Sequence, residues 1–500
     1  MQKLLAGVER VGNRVPHPVV IFVILIGFVI MLSQILYLLG TSVSYQLINP
    51  VTHKAEAATT AARGLLTVEG IRFMFTGIVR NFMNFNAVGV IVVAMVGVGV
   101  ADEAGLIRAL IRKLVAVAPP KALTYILVFV GIVSSIAADA GYLVLIPLAS
   151  VAFLSVGRHP LAGLAMAFAA VAAAFLVNVL ITPTDGILTE ITNDAIHLVN
   201  PAISIDLTAN VWFSIGSVVL LTFVIGIVTE KIVEPRLGAY LGDHAGEGDG
   251  ALSAEETRGL RLALYGLLGV VAFVCLLTLP PGAPLRNPQT GSILGDSPFM
   301  NSLIVTIALI FLGCGIAYGR GAGTMKTTND VVAAMTKAIA SLGGLLLLLL
   351  VISQFLAFFA YTNMATLAAV SLAEVLQRGN LDALWLLVGF IVVNFLIDFI
   401  LTGAIAAWAI LAPIFVPLLM QLNVPPDAVL AAYRVGDSPI NAITPLNAYF
   451  ALIVVFAQKY QKDAGVGTVI ALMLPYVAVM CVIWTLFFVA WHLSGVPWGL

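Results

Sequence analysis

Charge is scarce in this chain. Only 10% of its 500 residues are Asp, Glu, Lys or Arg, whereas 61% are hydrophobic and the mean hydropathy is +1.08. A soluble enzyme of this size needs a charged surface, so the balance excludes that class and leaves a polytopic membrane protein. The formal net charge of -1 gives no basic footprint for nucleic acid. Cysteine is nearly absent, and Cys275, Cys314 and Cys481 stand singly in apolar runs, while the six histidines show no ligand spacing. Neither a disulfide framework nor a metal site follows, and no cofactor is implied. A GxxxxGK[ST] motif is missing, which argues against ATP drive.

What remains is long apolar runs. The basic N-terminus is followed by a run over 19–39 that is long enough to span and lacks a small-residue cleavage site, so it predicts a first transmembrane helix rather than a signal peptide. Further spans are predicted near 86–104, 160–198, 209–230, 259–279, 301–318, 341–360, 424–456 and 467–491. Two other stretches, 122–156 and 384–418, are too long for one helix and too broken for two ordinary spans, and are read as re-entrant hairpins. The expected fold is therefore an all-α integral membrane protein of nine transmembrane helices and two hairpins. With the N-terminus cytoplasmic, seventeen of the 24 Lys and Arg residues fall inside, six fall outside, and Arg434 lies within a span. An N-terminal half (1–233) and a C-terminal half (259–500) are joined by a Gly-rich, acidic linker (234–258) read as mobile and cytoplasmic. The segment 70–85 carries Ile71, Phe75, Ile78 and Phe82 near helical period, and is expected either at the outer interface or packed on the bundle.

The two halves share an order of features. In 134–186 a polar tip, SSIAADAGYLVLIP, is followed by a turn at GRHP and an apolar run ending in ITPTDG. In 398–447, DFILTGAIAAWAILAP is followed by a turn at NVPP and a run ending in SPINAITPLN. Pro147 and Pro160 are matched by Pro413 and Pro426 at the same separation, and Thr182-Pro183 by Thr444-Pro445. The charge count places the hairpins on opposite faces, as an inverted repeat requires. Broken helices at corresponding places in two halves mark the site of a secondary transporter.

Ionisable groups at membrane depth each need a partner or a reason. Asp185 follows a helix break where Pro183 frees the carbonyl of Val179, so it suits cation or proton exchange, or simply caps the next helix. Arg434 and Asp437 share one helical face and either neutralise each other or leave Arg434 as a donor fork for an anionic substrate. Trp408, near the second tip, is either core or a platform for an aromatic substrate. Asp139 and Asp398 flank the tips as coupling groups or anchors. Ser134, Ser135, Asn178, Thr182, Thr402, Gly403, Asn441, Thr444 and Asn447 form oxygen-rich tips and breaks that suit sodium, or that serve as interhelical hydrogen bonds.

These motifs, SSIAADAGYLVLIPLAS, ITPTDG, AAW and YRVGDSPINAITPLN, resemble those of the AbgT family of bacterial transporters across nearly the whole chain. The resemblance implies an inner-membrane homodimer with a basin open to the cytoplasm. It also implies a site of Asp185, Trp408, Pro426, Arg434, Asp437 and Pro445, and substrates such as p-aminobenzoyl-glutamate or sulfonamide antimetabolites. Ile405 departs from the pattern by placing an apolar side chain where a hydroxyl would serve a second cation site. The leading expectation is proton-coupled export; the alternatives are sodium-coupled import, an intramembrane aspartyl protease using Asp185 and Asp437, and a channel. Against the protease stands Arg434, one turn from Asp437.

Overall fold

The computed structural model describes residues 16–48, 55–116, 119, 122–136, 141–240, 252–294, 297–378, 382–399, 401 and 403–500. Asp139 and Thr402 lie outside the described residues.

The chain opens with α1 (Pro18–Leu38), whose proline at the first helical position needs no donor partner. An antiparallel pair follows, β1 (Ser42–Ile48) and β2 (Ala55–Ala61), in register Ser42 with Ala61. This small sheet departs from the all-α expectation. The two segments pair locally beyond the apolar run, where helix-length patterning is absent. Next come α2 (Val68–Met83), α3 (Asn86–Ala104) and α4 (Leu106–Ala116). Of the two placements open to the amphipathic segment, α2 packs on the bundle. Phe73 stacks on Tyr361 at 4.4 Å, and Gln354 donates to the carbonyl of Ile78 while its oxygen accepts from Asn81.

The first hairpin region holds α5 (Leu123–Val133), a 3-10 turn at Ser134–Ile136, a π turn at Gly141–Leu145 and α6 (Ile146–Ser155). The predicted span at 160–198 is two helices, α7 (Pro160–Ala172) and α8 (Pro183–His197), with an unwound stretch between. Every residue of α7 is buried, because it sits among α5, α6 and α9 (Val211–Val228). A π turn then carries α9 on to a last helical turn, Glu234–Leu237.

The second half runs through α10 (Ala254–Thr278), α11 (Leu303–Ala322), α12 (Thr328–Ser341), α13 (Gly343–Tyr361) and α14 (Met364–Arg378). The linker is thus shorter than expected, since helix resumes at Ala254 under a Ser253–Glu256 capping box. Helices α3 and α11 touch backbone to backbone, and a Cβ on Gly97 would stand 2.0 Å from the Ala308 carbonyl oxygen.

The second hairpin region is α15 (Ala383–Asp398) and α16 (Ala404–Gln421), joined through Gly403 at φ 110°. Its second arm is longer than the first hairpin's, and Pro413 and Pro417 lie inside it. The predicted span at 424–456 is again broken, into α17 (Pro426–Asp437), a 3-10 turn at Pro439–Ala442 and α18 (Phe450–Gln458), before α19 (Val466–Ser494) closes the chain. Among the described residues eight helices are long and apolar enough to cross a membrane, α16 among them and with α2 and α3 taken together. The two broken spans fall short of that length in each piece, as their prolines predict.

Candidate functional site

The two helix breaks meet at Arg434. Loss of helical pairing in the first break leaves the Leu176 carbonyl free, and Arg434 Nη1 donates to it at 2.7 Å. The carbonyl put to use is therefore Leu176, not Val179. The same nitrogen donates to Asp185 Oδ1 at 2.5 Å, and Nε donates to Asn210 Oδ1 at 3.1 Å. Arg434 is 3% exposed, so three fixed acceptors replace its water shell.

Asp185 caps the next helix, the second of the two roles its sequence position allows, and also pairs with Arg434. It closes a capping box at the start of α8, with Oδ2 accepting from Thr182 N at 2.7 Å and from Thr182 Oγ1 at 2.8 Å, while its own N–H donates to Thr182 Oγ1 at 3.2 Å. Its other oxygen takes Arg434 across the fold. Every one of these side-chain contacts is one in which Asp185 accepts.

The pairing of Arg434 with Asp437 does not form. One face of α17 carries both, but Arg434 reaches toward the first half and its ion pair is with Asp185. Asp437 Oδ1 instead lies 2.7 Å from Tyr433 Oη, and among the described residues its Oδ2 has no partner. Asp398, at the end of α15, accepts from Asn441 Nδ2 at 3.0 Å, and Asn441 also donates to the Asp437 carbonyl.

Trp408 is fully buried. Its Nε1 donates to Thr192 Oγ1 at 3.0 Å, and its ring stacks on Tyr433 at 4.5 Å. The face expected for an aromatic ligand is occupied by a tyrosine, so Trp408 locks α16 to α8 and α17 in this conformation. Pro426 begins α17 and Pro445 lies in the second break, where neither proline offers an N–H.

Tip and break are stitched together in both halves. Asn178 Nδ2 donates to the Val133 carbonyl and to Ser135 Oγ, both at 3.0 Å. Asn441 makes the corresponding bond to Asp398, and Asn447 donates to the Asn441 carbonyl. Ser134 turns inward to the Gly131 carbonyl, and Thr444 Oγ1 accepts from Leu446 N. Gly403 holds the tip of the second hairpin in a positive-φ turn.

Two contributors carry no sequence signal strong enough to single them out. Asn210 precedes α9 as an ordinary cap-type residue, yet it orients Arg434 and donates to the Asp427 carbonyl at 2.9 Å. Tyr433 reads as one more aromatic in an apolar helix. Beyond Asn210 an open cleft of about 580 Å³ is lined by Asp206, Pro425, Asp427, His492 and Trp498.

Broken helices facing one another across two halves, with a buried arginine at their meeting point, define a transporter-type site in a polytopic membrane protein. The profile of the AbgT putative transporter family matches residues 3–500, and the chain belongs to that family of transporters. It is 34% identical over 498 residues to the p-aminobenzoyl-glutamate transport protein of Escherichia coli K12, covering 99% of this chain and 96% of that one. Its structure is similar to that of the Alcanivorax borkumensis YdaH transporter, with a TM-score of 0.89, 39% identity and coverage of 97% and 100%. It is also similar to Neisseria gonorrhoeae MtrF, described as illuminating a class of antimetabolite efflux pumps, with a TM-score of 0.92, 38% identity and coverage of 98% and 97%. Family membership makes this protein a transporter rather than an enzyme, and the protease reading falls.

Proposed function

We propose that this protein is an inner-membrane secondary transporter of p-aminobenzoyl-glutamate and related aromatic carboxylates, working as a proton-coupled exporter of sulfonamide antimetabolites. The carrying observation is the buried Arg434, held 2.5 Å from Asp185 between two broken helices. A planar guanidinium is the group that binds a carboxylate or ionised sulfonamide best. An incoming anion competes with Asp185 for it, which ties the protonation of Asp185 to the occupancy of Arg434. Exchange of one anionic partner for another ties substrate to ion.

On this reading the 122–156 and 384–418 segments are re-entrant hairpins of an inverted repeat. The matched Asn178 and Asn441 bonds between break and hairpin support it. Asp185, Arg434 and Asn210 form the substrate end, with the cleft at Asp427 as a route toward one face, and Asp437, Pro426 and Pro445 shape its walls. Trp408 contacts an aromatic ring only when Tyr433 moves. The working unit is a homodimer with a cytoplasmic N-terminus.

A second reading, sodium-coupled import, draws on the oxygens gathered around Asn178, Ser135 and Val133. Purified protein in proteoliposomes decides between them. Radiolabelled sulfamethazine and p-aminobenzoyl-glutamate are followed under separately imposed proton and sodium gradients. Proton-driven movement that is lost in Asp185→Asn supports export. Movement of p-aminobenzoyl-glutamate under sodium alone overturns it in favour of import.

A further inference from the structure

Beside the Arg434 site is a second polar cluster, of which the substrate reading uses only Asp437, as part of a wall. Asp398 and Asp437 are 2% and 1% exposed, and Asn394 is 2% exposed. Asn441 Nδ2 joins them, donating to Asp398 Oδ2 and to the Asp437 carbonyl, both at 3.0 Å. Among the described residues four buried atoms there have no partner, namely Asp398 Oδ1, Asp437 Oδ2 and both amide atoms of Asn394. Among the described residues no Lys, Arg or His forms an ion pair with either carboxyl, since Arg434 is taken by Asp185. Two adjacent buried carboxyls without a cation cannot both be ionised.

The hydrogen bonds of Tyr433 suit a protonated Asp437. Tyr433 Oη is 2.7 Å from the Ala404 carbonyl oxygen and 2.7 Å from Asp437 Oδ1. A phenol has one hydrogen and a backbone carbonyl has none. Tyr433 donates fully to only one of the two, so a protonated Asp437 that donates to Tyr433 lets Tyr433 donate to Ala404.

We propose that Asp437, with Asp398 as its carboxyl partner, is a proton-binding site distinct from the Asp185–Arg434 pair, and that its occupancy governs the tip of the second hairpin through Tyr433. This rests on the proton-coupled reading above. The step balances simply: the Asp437 O–H bond breaks, the proton leaves by way of the unpartnered carboxyl oxygens, and a carboxylate of charge -1 remains. The Tyr433 hydrogen then turns from Ala404 to the carboxylate, so the first residue of α16 loses its donor. Proton release and loosening of the tip are one event. Tyr433 acts here as a positioning residue, itself stacked by Trp408.

Infrared difference spectroscopy of the full-length protein tests this directly. At neutral pH the wild type should show a protonated-carboxyl C=O band that shifts in D2O and vanishes in Asp437→Asn. Tyr433→Phe should keep that band but shift it, because the hydrogen bond it reports is gone. Absence of the band in the wild type, or its bleaching by added sodium at constant pH, overturns the proposal. The wild-type spectrum carries the test even where a variant fails to fold. In proteoliposomes, Asp398→Asn and Tyr433→Phe should lose proton-driven accumulation. Proton-driven transport with no band leaves the function standing and removes this site, whereas a band without proton-driven transport does the reverse.

Discussion

Arg434 combines burial with a full set of partners, and the combination makes its neighbourhood sensitive to the loss of one group. Removing a single member of a buried pair leaves an uncompensated charge, at about 3–5 kcal/mol. Asp185→Asn is thus expected to lower the thermal midpoint as well as to stop transport. The double change Arg434→Met with Asp185→Leu removes both charges and should recover most of the midpoint but none of the transport. Thermal unfolding monitored by size-exclusion of detergent-solubilised protein checks this. If the double variant is as unstable as the single one, the pair is not the source of the cost. Asn210→Ala tests orientation: it removes one acceptor and leaves the ion pair, so substrate affinity should weaken with a smaller loss of stability. His159 offers a test at the membrane edge. It caps α7 by accepting from Leu161 N through Nδ1, which requires the neutral ring, and burial lowers its pKa from the ordinary 6.5. Its stabilisation is present above that ordinary value and is lost as pH falls through the lowered one. His159→Asn keeps a capping side chain and should flatten the acid limb of the midpoint-against-pH curve.

At the scale of elements, the helix breaks were legible because proline and glycine act locally. Thr182-Pro183 and Thr444-Pro445 had to interrupt helices wherever the rest of the chain went, and they did. What joins the elements was not legible. Arg434 and Asp185 are 249 positions apart, and nothing local to α17 distinguishes a partner three residues away from one in the other half. The β1–β2 hairpin was missed because short polar strands are invisible to a search for span-length runs. Elements also show where stability is stored. Arg158, just after the first hairpin, donates through Nε to Glu234 at 2.9 Å and through Nη1 to Thr124 at 2.7 Å, and its guanidinium lies 4.1 Å from the Phe153 ring centroid. Thr124 donates in turn to Glu230. This clamp ties both arms of the hairpin to the end of α9. These groups are partly solvated, so Arg158→Ala should cost about 1–3 kcal/mol in thermal or denaturant unfolding. An equal loss in Glu234→Gln would show that the charge, not the packing, carries it.

For the whole molecule the proposed inverted repeat has meaning only relative to two faces. The distribution of Lys and Arg predicts the start of α10 inside and the loop around Arg286 outside, with α10 crossing between them. That helix runs 25 residues, about 37 Å at the usual rise, which exceeds a hydrocarbon core of roughly 30 Å. A helix of that length reaches from one face to the other. The native cysteines lie in apolar helices, so a background with Cys275, Cys314 and Cys481 changed to Ser is suitable for labelling. In intact cells a membrane-impermeant maleimide should modify Thr290→Cys, whose site is exposed in the loop, and should leave Ala254→Cys untouched until the cells are lysed. The opposite pattern would invert the whole assignment, moving the first hairpin to the outer face and the second to the inner one. Labelling of both sites in intact cells would mean that α10 does not cross at all. The expected pattern would give the two broken helices, one from each half, the opposite entry faces that the proposed inverted repeat requires.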